Sequence, residues 1–169
     1  MSVNAEIFYK KSTDGGATWT ANKRLTWNSG NSTGPKIAVD SADNLGLVWC
    51  DSTPGNTEIY YRNSPDGGVT WTANKRLTWT SGLSSDPAVT VDSPGHLHVV
   101  FMDDSLGHFE VYYKKSLDGG TTWSANRRLT WSIYAQGSPS FGVDSTGNIH
   151  LVWECMAPGN YEIYYMKFK

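Results

Sequence analysis

Residues 58–79 read EIYYRNSPDGGVTWTANKRLTW, and this stretch decides the fold because the chain repeats it. Near-copies occupy residues 6–27 and 110–131, and a shortened copy, EIYYMKFK, forms residues 162–169. Glutamates open the four copies at a constant spacing of 52 residues: Glu6, Glu58, Glu110 and Glu162. The repeat predicts a chain built from successive copies of one structural unit.

Each unit contains four short patterns that are typical of β-strands. EIYY is aromatic and β-branched, RLTW alternates, a third segment ends in Val-Asp, and a fourth is apolar, as in LGLVW. Turn signals such as Asp-Gly-Gly, Ser-Gly and Pro-Gly-Asn separate them. The pattern predicts an all-β fold of four-stranded antiparallel units, and such units with a period near 50 residues are typical of β-propeller blades. A β-solenoid is the alternative, although its coils are usually shorter.

The composition narrows the class of protein. Aromatic residues make up 13% of the 169 residues and charged residues 18%, which is unlike a disordered chain. The formal net charge is −2, so the chain offers no basic excess for nucleic-acid phosphates, and we expect no nucleic-acid partner. No apolar run is long enough to span a membrane and no leader is visible, so we expect no membrane partner. Two cysteines are too few for a disulfide scaffold.

One octapeptide of the repeat resembles a known motif. Residues 12–19, 64–71 and 116–123 match S-x-D-x-G-x-T-W, the Asp-box of the bacterial neuraminidase (BNR) repeat in sialidase-like propellers. The matching positions are Ser12, Asp14, Gly16, Trp19, Ser64, Asp66, Gly68, Trp71, Ser116, Asp118, Gly120 and Trp123. We expect a structural role, because an Asp side chain can accept backbone N–H groups in a tight turn and glycine permits angles that a Cβ excludes. The alternative, a calcium loop, lacks further acidic ligands at regular spacing.

The resemblance implies which strand is which. In that family the Asp-box joins the third and fourth strands of a blade, so the chain runs through strands 3-4, then 1-2-3-4 twice, then 1-2-3. We expect a single half-propeller domain over residues 1–169. Its repeat units are 6–57, 58–109 and 110–161, followed by a C-terminal strand at 162–169.

Three units are too few for a ring, because propellers close with about four to eight blades. Either the sequence is a piece of a longer protein, or chains assemble. Two copies would supply six blades, the number in the sialidases that the chain resembles, and we expect a homodimer that closes a six-bladed ring. The third strand of the joining blade is then present twice, at residues 6–9 and 162–165, and the sequence does not decide which copy pairs.

The face opposite the Asp-box turns carries the loops that differ most between units. They join strand two to three (51–57, 103–109, 155–161) and strand four to one (28–35, 80–87, 132–139). Function tends to lie on such loops of a rigid scaffold, and the resemblance implies that this is the active-site face of sialidases. The candidate ligand-binding residues are Asp51, Asp103, Asp104, His108, Tyr134, Gln136 and Glu154. The alternative for each of them is an ordinary polar loop residue that contacts solvent and no ligand.

The resemblance also raises the question of sialidase chemistry, which needs three arginines that clamp a carboxylate, a tyrosine nucleophile with a glutamate, and an aspartic acid. Four arginines lie in the repeated fourth-strand element: Arg24, Arg76, Arg127 and Arg128. Arg62 aligns with lysines of the other units, and neither the first nor the second strands carry an arginine. The family's Arg-Ile-Pro motif is absent as well. We therefore assign no catalytic residue and expect no enzyme activity.

The remaining hypotheses concern binding. His98 and His150 occupy equivalent positions, but no acid or cysteine cluster accompanies them, so we expect no metal and no cofactor. The sequence favours a non-catalytic binding or scaffold module that takes a glycan, since sugars stack on aromatic rings. One alternative is a sialidase-like hydrolase whose missing parts lie elsewhere in a longer protein. Another is a purely structural half-propeller, natural or engineered, that self-assembles. The resemblance weakly favours an extracellular location.

Overall fold

The computed structural model describes residues 4–157 and 159–169, and this part of the chain is all-β. Its strands, numbered in chain order, are β1 (Phe8–Tyr9), β2 (Lys23–Arg24), β3 (Ser32–Val39), β4 (Leu45–Asp51), β5 (Glu58–Ser64), β6 (Lys75–Arg76), β7 (Ser84–Val91), β8 (Leu97–Asp103), β9 (Glu110–Ser116), β10 (Arg127–Arg128), β11 (Gln136–Val143), β12 (Ile149–Ala157) and β13 (Asn160–Phe168). Among the described residues there is no helix that is both long and apolar enough to cross a membrane.

The strands form four antiparallel sheets that follow the predicted repeat. The first sheet is β1-β2, the second β3-β4-β5-β6, the third β7-β8-β9-β10 and the fourth β11-β12-β13. Strands one period apart take the same place in successive sheets: Leu45 pairs with Ser64 in the second sheet, and Leu97 pairs with Ser116 in the third. The all-β prediction and the strand order 3-4, 1-2-3-4 twice and 1-2-3 are confirmed.

The core lies between the sheets. β4 and β8 are buried along their whole length, because a neighbouring sheet covers each of their faces. The first strands β3, β7 and β11 lie beside one another, so the sheets pack face to face with their first strands together. An apolar cluster fills each space between neighbouring sheets, and the clusters contain Trp49, Phe101 and Trp153, which share one repeat position.

Several strands are longer than the sequence analysis predicts. The first strand of the second sheet begins at Ser32 rather than after Pro35, and the equivalent strands also begin inside predicted loops. A shift in the ladder register lets Pro35, which has no N–H to donate, lie inside the strand. The predicted loop 155–161 is mostly strand as well, because β12 and β13 form one long hairpin, and the C-terminal strand begins at Asn160.

The fourth sheet leaves one apolar face uncovered. Ile163 occupies the repeat position of Ile59 and Val111, yet it is 75% exposed whereas those two side chains are fully buried. Ile59 lies between the second and third sheets, and Val111 between the third and fourth. Within the described residues, no further sheet covers the face of the fourth sheet that carries Ile163. At the other end of the row of packed sheets, Ile37 and Val39 of β3 are about half exposed.

Candidate functional site

A repeated set of hydrogen bonds closes the Asp-box turns. In the second sheet, Asp66 Oδ1 accepts the Ser64 hydroxyl at 2.7 Å and the Thr70 N–H at 2.8 Å, and Oδ2 accepts the Thr70 hydroxyl at 2.5 Å. The Ser64 oxygen accepts the N–H of Gly68, and the indole N–H of Trp71 donates to the Gly68 carbonyl. The other two turns repeat these bonds.

The same bonds stabilise the ionised carboxylates. The threonine hydroxyl and N–H, together with the serine hydroxyl, lower the pKa of Asp14, Asp66 and Asp118 to about 2. Both oxygens of each carboxylate are thus occupied inside the turn. The geometry gives the Asp-box aspartates a structural task in their own turns.

The Asp-box turn also contacts the preceding sheet, which the sequence analysis did not anticipate. Tyr61 of β5 reaches the turn of the third sheet, where its hydroxyl donates to the Gly119 carbonyl at 3.2 Å. Its ring packs edge-on against Trp123 with the ring centroids 5.1 Å apart, and a Cβ added to Gly120 would lie 2.3 Å from this ring. Tyr9 contacts the turn of the second sheet in the same way. The sequence signal for this contact is the tyrosine at the same position of every copy.

The sequence analysis predicts that Asp51 and Asp103 lie in loops, but this is wrong. They are the last residues of β4 and β8, and both are buried. Asp51 Oδ2 accepts the Ser32 hydroxyl at 2.8 Å and the Trp49 indole N–H at 3.1 Å, while Oδ1 accepts the Thr53 N–H. Burial alone would raise the pKa of Asp51, but these hydrogen bonds outweigh it and hold the pKa below its usual value. Asp103 is held in an equivalent way. Both carboxylates are therefore engaged within the fold.

Asp104 and His108 lie in the loop between β8 and β9, as predicted. Asp104 Oδ1 accepts the backbone N–H of Leu83 at 2.6 Å, which ties this loop to the neighbouring one. His108 Nε2 lies 3.0 Å from a carboxylate oxygen of the buried Glu110. Both side chains are half-buried and have partners within the protein.

Two other candidates meet at a cavity of about 470 Å³ between the third and fourth sheets. Ten residues line it: the aromatic Trp131, Tyr134, Trp153 and Tyr164, the polar Thr130, Ser132 and Gln136, and Leu129, Cys155 and Met166. We call this space the aromatic cavity. Trp131, Trp153 and Tyr164 were not predicted as site residues, because each belongs to a repeated strand pattern.

Gln136 organises the inner wall of the aromatic cavity. It lies on β11 and is buried, whereas the sequence analysis places it in a loop. Its Nε2 donates to the Tyr134 carbonyl at 2.7 Å and contacts Cys155 Sγ at 3.1 Å, and its Oε1 accepts the Trp153 indole N–H at 2.6 Å. The second and third sheets have a buried Ser–Asp pair at these repeat positions. The fourth sheet therefore has a Gln–Cys pair in place of the Ser–Asp pair.

The rings of the aromatic cavity are accessible. Trp131 is 73% exposed, Tyr134 36% and Tyr164 44%. Tyr164 stacks on Trp153 with centroids 5.8 Å apart and ring planes 24° from parallel. The Arg128 guanidinium lies over Trp131, 5.6 Å from its ring centroid. A ligand can therefore reach aromatic surfaces that the fold already holds in place.

Glu154 faces away from the aromatic cavity. It lies on β12 between Trp153 and Cys155, which line the cavity, and successive side chains of a strand alternate between faces. Its carboxylate accepts the Ser138 hydroxyl at 2.6 Å. It lies directly before the predicted loop 155–161, on a strand that continues past it. Of the seven predicted residues, Tyr134 and Gln136 thus come together at the cavity.

The fourth-strand arginines are held by repeated ion pairs. Arg76 Nη2 donates to Glu58 Oε1 at 2.7 Å, and the guanidinium lies over the Trp79 ring at 5.5 Å from its centroid. Arg24 and Arg128 make the same pair with the glutamate of their own sheet. These guanidinium groups are therefore already bound to carboxylates of the protein.

The remaining arginines also contact the protein. Arg62 is buried on β5, where its guanidinium donates to the carbonyl oxygens of Leu25 and Thr72. It thereby links β5 to the fourth-strand region of the preceding sheet. Arg127 lies over the Phe168 ring, 5.3 Å from its centroid.

The repeated histidines form polar contacts within their sheets. His98 Nδ1 lies 2.7 Å from the Tyr113 hydroxyl, and Nε2 lies 3.2 Å from Asp92 Oδ2. Burial lowers the pKa of His98 despite the neighbouring carboxylate. His150 makes equivalent contacts. Within residues 4–157 and 159–169, no three His, Cys, Asp or Glu side chains are grouped as they would need to be to hold a metal ion.

Solved structures of glycan-acting proteins share the fold of this chain. A Penicillium chrysogenum α-L-arabinanase complexed with arabinobiose matches with a TM-score of 0.71 and 19% identity, over 98% of this chain and 55% of its own. A NanB sialidase variant from Streptococcus pneumoniae matches with a TM-score of 0.68 and 15% identity, over 99% and 28%. A Hadza microbial sialidase matches with a TM-score of 0.65 and 15% identity, over 80% and 34%. The chain thus spans only part of each of these proteins.

The sequence itself matches a family. No curated protein matches the chain. The family described as "BNR repeat-like domain" matches residues 2–152, which contain all three Asp-box turns. The chain therefore belongs to the BNR repeat-like family, with a β-propeller fold related to that of sialidases and arabinanases.

Proposed function

We propose that the protein is a non-catalytic carbohydrate-binding module that holds a neutral sugar in the aromatic cavity. One observation carries the proposal: this space of about 470 Å³ brings exposed aromatic faces together with hydroxyl and amide groups. Binding sites for small molecules have this size and combine apolar walls with a few placed polar groups.

The chemistry of the lining matches a sugar. The faces of Trp131 and Tyr164 can stack on the C–H side of a pyranose or furanose ring, and the hydroxyl groups of Ser132 and Tyr134 can bond to its hydroxyl groups. Every side chain that lines the cavity is uncharged. A sialic acid carboxylate would call for a guanidinium partner, so the lining favours a neutral sugar.

The same lining argues against hydrolysis. The common glycosidase mechanism needs two carboxyl groups beside the scissile bond, and the cavity lining contains none. The sialidase mechanism needs free arginines, whereas Arg24, Arg76 and Arg128 are paired with glutamates and Arg62 is buried against backbone carbonyls. We therefore expect binding without turnover.

Titration of the full chain with arabinobiose, lactose and sialyllactose, followed by NMR chemical shifts, tests the proposal. We expect a neutral disaccharide to bind with a Kd near the millimolar range. Trp131→Ala should weaken this binding roughly tenfold, which corresponds to about 1.4 kcal/mol for a lost stacking contact. Trp79→Ala is the matched control, because Trp79 has the same repeat position, similar exposure and the same arginine contact but lies outside the cavity.

Two results would contradict the proposal. If Trp131→Ala and Trp79→Ala bound sugar equally well, the aromatic cavity would not be the site. If none of the three sugars bound, the purely structural alternative would be favoured. The non-catalytic part has its own assay, in which a fluorogenic sialoside should show no turnover above buffer. Turnover that survives repurification would favour the hydrolase alternative.

A further inference from the structure

We propose that β13 of one copy of the chain pairs with β2 of a second copy and takes the place of that copy's β1, so that two copies close one ring. The occupant of the uncovered fourth-sheet face is then a second copy of this protein. The pairing uses the open edge of β13, where Tyr164 also borders the aromatic cavity, but the inference does not depend on carbohydrate binding.

The complete sheets fix the register of this pairing. In the second sheet, β5 pairs with β6 through Tyr60 opposite Arg76, and the third sheet repeats this arrangement. β13 is the edge strand of the fourth sheet, and Tyr164 occupies the repeat position of Tyr60. The fourth strand of the first sheet offers Arg24 at the repeat position of Arg76. Tyr164 should therefore lie opposite Arg24 of the second copy.

Charge complementarity supports the same register. In the second sheet the buried Glu58 carboxylate accepts both the Arg76 guanidinium at 2.7 Å and the Asn56 amide at 3.1 Å. On β13 the exposed Glu162 already accepts the Asn160 amide at 2.5 Å. Glu162 is thus arranged like Glu58, and an arginine from a fourth strand would complete the set.

Burial of the uncovered apolar face of the fourth sheet favours the association of two copies. Val152, Ile163 and Tyr165 are 39%, 75% and 60% exposed, whereas the equivalent side chains of the third sheet are at most 6% exposed. At the opposite end of the row of packed sheets, Ile37 and Val39 of β3 are 47% and 52% exposed. Apolar surfaces of this kind pack together between the complete sheets, and joining them end to end continues that packing. Two copies joined at both ends give six sheets, which lies within the usual range for a closed propeller.

β13 is held more firmly in its sheet than β1 is in the first sheet. β12 and β13 pair at nine positions, whereas β1 and β2 pair at two. Met166 and Phe168 of β13 pack on the third sheet, with the Phe168 ring edge-on to Tyr113 at 5.3 Å. On the β1 side, Phe8 is 57% exposed, and Glu6 has a buried carboxylate oxygen without a hydrogen-bond partner among the described residues. We therefore infer that β1, and not β13, is displaced.

Disulfide trapping in the full chain tests the proposal. Directly opposed residues of paired strands lie close enough for a disulfide. After mild oxidation, Tyr164→Cys with Arg24→Cys should run as two linked chains on a non-reducing gel. Tyr60→Cys with Arg76→Cys is the matched control, which should close within one chain and keep the mass of a monomer. Phe8→Cys with Arg24→Cys should stay reduced, because β1 has left β2.

The outcomes separate the two parts of the proposal. A single-chain band for Tyr164→Cys with Arg24→Cys, while the matched control closes, would overturn the pairing. A disulfide in Phe8→Cys with Arg24→Cys would overturn the displacement of β1. Ile163→Arg provides a second readout that needs no disulfide, because it should halve the mass measured by light scattering. An unchanged mass for folded Ile163→Arg would also contradict the interface.

Discussion

Gly120→Ala should show how much stability depends on the contact between an Asp-box turn and the preceding sheet. Gly120 has a φ of +90°, and an added Cβ would lie 2.3 Å from the buried Tyr61 ring. Gly16 has the same place in the first turn and a φ of +92°, but its Cβ would come no closer than 3.8 Å to another side chain. Both alanines carry the strain of a positive φ, about 1–3 kcal/mol. Only Gly120→Ala adds overpacking, which costs about 1–3 kcal/mol.

Urea unfolding monitored by tryptophan fluorescence at one protein concentration compares the two variants. We expect Gly120→Ala to lose about 1–3 kcal/mol more than Gly16→Ala, or about 2–12 °C in Tm for a chain of this length. In a Tyr61→Leu background the ring is gone, so the two glycine substitutions should become equal in cost. Equal losses with Tyr61 in place would refute the idea that Gly120 is needed to make room for the Tyr61 ring as well as to form the turn.

Acid should weaken the fold between about pH 4 and pH 2. The pKa of Asp66 is lowered to about 2 in the fold, below the value of about 3.9 in an unfolded chain, so its stabilisation is present above pH 4 and is lost as the pH falls towards 2. Circular dichroism during acid titration should show this loss, and Asp66→Asn should make it smaller, since Asp14 and Asp118 still contribute; an identical profile for the variant would contradict the turn geometry. Burial raises the pKa of the Cys50 thiol to about 11, so Ellman's reagent at pH 8 should label this thiol only after unfolding. Rapid labelling of native Cys50 would show that β4 is not buried as described.

The repeat made most of the fold predictable. Period-two patterns and turn residues are local signals, and three copies in phase reinforce one another, so the four-stranded units follow from the sequence. The place of each strand within its sheet follows from the resemblance to the Asp-box family. The strand ends did not follow, because Pro35 reads as a break although a register shift accommodates it inside β3. Strand ends that were set too short also placed Asp51, Asp103 and Gln136 in loops, whereas the ladders continue through them.

The candidate site was only partly predictable. Tyr134 and Gln136 were found because they lie where the third unit departs from the repeat. Trp131 and Tyr164 were missed because they follow the repeat, and only the packing of the third sheet against the fourth exposes a space between them. Two residues that line this space also depart from the repeat: Cys155 stands where the other units have aspartate, and Met166 where they have lysine or arginine. Cys155 and Met166 line a cavity only because the third and fourth sheets pack against each other there, and this packing cannot be read from one sequence.

The mass of the full chain in solution tests most directly the central claim that this chain forms half of a closed propeller. Light scattering at micromolar concentration should give about twice the chain mass of 18.7 kDa, because the exposed faces at the two ends of one copy are expected to cover those of another. A chain that remains at 18.7 kDa and still unfolds in a single cooperative transition would contradict the account.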